Sequence, residues 1–113
     1  MHVIHHAMLP RQADAGCSRQ TLAGAELGGA PFEVQSLALE PGGCTPPATH
    51  PAACVVLALE GSGKLVLDGG PERFQAPCTL LVPAGATHCI VNNAAAPLQL
   101  VCVHAAAPHP EDA

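Results

Sequence analysis

The sequence predicts an all-β sandwich or barrel, and three observations carry that prediction. Eleven Gly and twelve Pro are spread at short intervals through 113 residues, which leaves no room for helices of ordinary length. Between them lie short runs rich in Val, Leu and Ile, the length and composition of strands. The runs are separated by strong turn signals. Taken in order, residues 34–39 end at Glu40-Pro41-Gly42-Gly43, and residues 55–59 end at Glu60-Gly61-Ser62-Gly63. Residues 64–67 run into Asp68-Gly69-Gly70-Pro71, and residues 79–82 into Pro83-Ala84-Gly85. Residues 89–92 meet the Asn92-Asn93 turn, and residues 98–104 form the last run. The stretch 18–25 reads as a short helix or an extra strand, and residues 105–113 as a frayed acidic tail.

Composition narrows the class further. A length of 113 residues is that of one domain, with the barrel core at about 32–103 and residues 1–31 as an N-terminal extension. A hydrophobic fraction of 49% is too high for a disordered chain. With 21 Ala and only Phe32 and Phe74 as aromatics, the core has to be built from Val, Leu and Ala. Four Lys+Arg against nine Asp+Glu leave a charge of −5 and no basic stripe, so nucleic acid is not an expected partner. No apolar run approaches the ~20 residues of a membrane-spanning helix, and Met1-His2-Val3-Ile4-His5-His6 has neither a basic leader nor an apolar signal core. A cytoplasmic protein without membrane contact is expected. In that compartment Cys17, Cys44, Cys54, Cys78, Cys89 and Cys102 are buried thiols or ligands before they are disulfides. The terminal His2, His5 and His6 read as solvated.

The chemistry concentrates between residues 42 and 92. Side chains two apart on a strand share a face, so His50, Cys54, Val56 and Ala58 point together if a strand begins near Thr49. His88 and Ile90 share a face in the same way. Bringing the two strands side by side converges two imidazoles and a thiolate on one point. Two imidazoles and an anion on one side of a metal leave positions open for water or substrate. With sulfur as the anion, the site favours Zn, Fe, Ni or Cu over Mn and Mg. The competing reading makes Cys54 a small buried hydrophobe. On the last run, an inward even-numbered side lets Leu100 and Cys102 line an apolar pocket with His104 at its rim. Cys44 is a reserve ligand on the loop before His50.

The stretch Pro83-Ala-Gly85-Ala-Thr-His88-Cys-Ile-Val-Asn92 resembles the second motif of the cupin superfamily, P-x-G-x-x-H-x-x-x-N, with Pro77 where the motif opens on Gly. The first cupin motif, G-x5-H-x-H-x3-E-x6-G, falls without a gap on Gly42 to Gly61. Its second histidine is His50, but Ala48 stands at the first histidine and Cys54 at the glutamate. The resemblance implies a double-stranded β-helix, that is, a jelly roll of two antiparallel sheets, and a homodimer. It also implies one divalent transition metal held by His50, Cys54 and His88, in a pocket lined by Val56, Ile90, Leu100, Cys102 and His104. The expected function is a metal-dependent enzyme, oxygenase-like or isomerase-like, acting on a small molecule in the barrel. A non-catalytic small-ligand or metal-sensing cupin is the alternative, since Gln35, Ser36, Cys102 and His104 are the few polar groups on the strands. A thiol-redox role for Cys54 and Cys44 is a third possibility.

Overall fold

A computed structural model describes residues 3–68 and 70–105. Nine strands form two antiparallel sheets: β1 (Gln12–Asp14), β2 (Cys17–Ala23), β3 (Phe32–Leu39), β4 (Cys54–Glu60), β5 (Ser62–Leu67), β6 (Gly70–Gln75), β7 (Cys78–Val82), β8 (Cys89–Val91) and β9 (Leu98–Ala105). The large sheet runs β1-β2-β3-β9-β4-β7 and the small one β6-β5-β8. Among the described residues there is no α-helix; a single 3-10 turn covers His6–Met8. The stretch read as helix or strand is strand β2, and β1 and β2 extend the large sheet beyond the expected core. Strand β6, polar and carrying Pro71, had no signal in the apolar pattern. It is an edge strand, where a missing N–H and exposed polar side chains are tolerated. Residues 106–113 of the expected tail, and His2, lie outside the described residues.

Register sets which side chains face inward. Pairing of Leu37 with Leu100, and of Ala58 with Leu100 on the other flank, puts Leu37, Leu39, Leu98, Leu100, Val56 and Ala58 on the inner face of the large sheet. All six are buried, and Ile90 and Leu65 close over them from the small sheet. Gly61 lets β4 turn into β5. Its φ is +98°, and a Cβ there would lie 2.7 Å from the Pro97 carbonyl oxygen, so no larger residue fits. On the outer face, Leu57, Leu59 and Leu81 are exposed. All six cysteines are free thiols.

The segment 42–50 is not a strand, yet it is zipped to β8 and the turn before it. Gly42 N donates to Asn92 O, Thr45 N to Ile90 O, and Ala48 and His88 exchange both backbone hydrogen bonds at 2.9 Å. Asn92 pins the far end: fully buried, it donates from Nδ2 to Leu39 O and Ala96 O, and its Oδ1 accepts from Ala94 N. The expected strand from Thr49 is absent because Pro51 lacks an N–H and restrains His50 before it. Strand β4 instead begins at Cys54, with His50 on the preceding loop, its carbonyl accepting from Gly85 N at 2.8 Å.

Candidate functional site

One end of the barrel interior holds a cavity of about 250 Å³. Its floor is apolar: Leu37 from β3, Val56 from β4 and Ile90 from β8, with the thiols of Cys54 and Cys102 beside them. The mouth is lined by His50, His88 and His104, and by Arg19 and Gln35 from β2 and β3. The two-residue period of each strand carries this gradient. Strand β9 passes from Leu98 and Leu100 through Cys102 to His104 on one face, all inward until the mouth is reached.

The three imidazoles form a cluster. The rings of His50 and His104 stack at a centroid distance of 4.5 Å and an interplanar angle of 17°. Those of His50 and His88 are 5.6 Å apart and tilted by 47°. His88 is buried, and its Nδ1 lies 3.3 Å from Ala86 O, which fixes the proton on Nδ1 and leaves Nε2 as the free nitrogen. His104 has Nδ1 3.0 Å from Ala105 O and Nε2 4.0 Å from the Glu33 carboxylate. Burial holds the His50 pKa below its ordinary value, helped by His104 and His88, with Glu33 acting in the opposite direction. His50 is therefore a neutral imidazole at neutral pH.

Burial pushes the Cys54 thiol up, and its Sγ donates to the Val55 carbonyl at 4.0 Å. Cys102 is pushed up to about 12, first by burial and then by Cys54 and Cys17, with Arg19 offsetting part of the effect. Both are protonated at neutral pH. Among the described residues no three His, Cys, Asp or Glu side chains are grouped so as to hold a metal ion.

The structure thus brings His50, Cys54, His88, Val56, Ile90, Cys102 and His104 to one cavity. Leu100 is the departure. It is 1% exposed and belongs to the buried core, packed between its strand partners Leu37 and Ala58 and not among the residues lining the cavity. Cys44 is exposed and outside this cavity; its backbone bridges to Val91. Arg19 was missed. Its signal was the alternation Cys17-x-Arg19-x-Thr21, which turns a lone cation to the same side as a buried thiol.

The arrangement of motifs on a two-sheet barrel decides the family. Residues 36–104 match the family model described as Cupin domain. The chain belongs to the cupin family. Solved cupin structures superimpose on it over most of its length. A cupin 2 domain-containing protein from Halorhodospira halophila is 28% identical, with a TM-score of 0.74 over 89% of this chain and 76% of its own. A Cupin 2 conserved barrel domain protein from Salinispora arenicola CNS-205 is 26% identical, with a TM-score of 0.73 over 91% and 85%. The polyketide cyclase RemF from Streptomyces resistomycificus, at 23% identity, has a TM-score of 0.78 over 97% and 82%, a likeness of fold. No curated protein matches the chain. No helix among the described residues is long and apolar enough to cross a membrane.

Proposed function

We propose that this cupin binds a small organic molecule in the barrel, its apolar part on Leu37, Val56 and Ile90 and its polar end among His50, His88 and His104. The observation that carries this reading is one cavity of about 250 Å³ divided into an apolar floor and an imidazole-lined mouth. Ligand sites have that make-up: mostly apolar walls with a few convergent polar groups. A neutral His50 accepts as well as donates, so it can also take up a proton at the ligand's polar end.

A metal-dependent enzyme is the second reading, with Zn, Fe, Ni or Cu on His50, Cys54 and His88. The free Nε2 of His88 and the 5.6 Å spacing to His50 favour it. Against it stands the side chain of Ala48, which has no donor atom where the motif has its first histidine. That leaves the reading dependent on Cys54 as the third protein ligand that a resident catalytic metal ordinarily has.

The test of the first reading is an amide-shift titration of the isotope-labelled chain with two neutral probes, butyramide and butan-1-ol. Saturable shifts at Val56, Ile90 and Cys102, with β6 unmoved, are the expected outcome. Shifts scattered over the surface, or none at these residues with any four-carbon probe, would contradict it.

A further inference from the structure

We infer that the molecule taken by this cavity is a small carboxylate, received at its anionic end by the guanidinium of Arg19. This deepens the organic-ligand reading and rests on it. The chain has only four Lys and Arg, and Arg19 alone among them lines the cavity. Pairing of Arg19 with Leu37 turns its side chain to the inner face of the large sheet, where it is half-buried and lines the cavity. Its proximity to Cys102, whose thiol it influences, agrees with that location.

No side chain among the described residues accepts from Arg19. Among the described residues it makes no ion pair within 4.0 Å and donates no side-chain hydrogen bond, whereas Arg11 on the outer face donates to Ser18 and Gln20. Glu33, which shares a neighbouring groove with Arg19, accepts from Gln35 Nε2 at 2.9 Å and lies 4.0 Å from His104. No Asp or Glu lines the cavity, although the chain carries a net charge of −5. A half-desolvated guanidinium gains most from a planar anion that accepts two parallel N–H bonds, which is the shape of a carboxylate. A phosphate dianion would call for further cations, and the cavity has a single formal one. The apolar floor then takes a short hydrocarbon chain.

The test titrates the isotope-labelled full chain with butyrate, butyramide, butan-1-ol and butyl phosphate, in the wild type and in Arg19→Gln and Arg19→Lys. Butyrate is expected to bind the wild type about ten- to a hundredfold more tightly than butyramide, the range of a charge-assisted hydrogen-bond pair. Arg19→Gln should lose that preference and Arg19→Lys keep part of it, with the spectrum away from the cavity unchanged. Equal affinity for butyrate and butyramide in the wild type overturns the inference whatever the variants do. So does a butyrate preference that survives Arg19→Gln, or tighter binding of butyl phosphate; in each case the organic-ligand reading stands. If none of the four compounds moves the cavity amides, both readings fail.

Discussion

The two ends of the barrel interior are built from the same strands and differ in what those strands present. At the closed end, Leu39, Leu98 and Leu100 are at most 1% exposed, and Asn92 satisfies both of its polar ends against backbone. At the open end, His50, His88, His104 and Arg19 line the cavity. One end is spent on stability. The other converges imidazoles and a guanidinium on one cavity, the make-up of a binding site.

Breaking the comparison at the closed end should give the largest effect. Leu100→Ala removes most of a buried side chain and is expected to cost about 3 kcal/mol of unfolding free energy. His104→Ala, four residues further out on the same face of β9, should cost less than about 1 kcal/mol. Urea denaturation of both variants measures the difference. Equal losses would mean that the open end is packed for stability after all.

A smaller effect comes from pH. His50 has a folded pKa below the 6.5 of the unfolded chain, chiefly through burial, then through His104 and His88. As the medium is acidified past 6.5 the unfolded state takes up a proton that the folded state resists, so stability falls, and the loss is complete once the pH is under the folded pKa. His50→Gln removes this component. Unfolding free energies from neutral pH to about pH 5 should therefore fall less steeply in that variant than in the wild type. Parallel slopes would show that the cluster does not resist protonation.

How much of this was legible in the sequence follows the physics of each element. The apolar strands were visible because burial on one face imposes period two on short runs, as in β3, β4 and β9. The residues His50 and His88 were visible because the turn residues around them, Gly42, Gly61, Pro83 and Gly85, hold fixed spacings. What stayed hidden depends on contacts between distant elements. The stacking of His104 on His50 joins β9 to a loop 54 positions away. The depth of Leu100 follows from how many side chains fill one barrel layer, which no local pattern records. Arg19 lies in a segment whose weak apolar signal disguised a strand, and β6 is polar because it is an edge.

The central claim is that the open end is furnished for an organic ligand in preference to a resident metal ion, and elemental analysis of the untagged protein, purified without chelators or added metal, tests it most directly. Transition metal well below one atom per chain is the expected result. Ala48→His should raise that content, because Ala48 is the backbone partner of His88 and a side chain there lies within ligand reach of it. Close to one atom of Zn, Fe, Ni or Cu per wild-type chain, lost in Cys54→Ser, would contradict the account and establish His50, Cys54 and His88 as a metal centre.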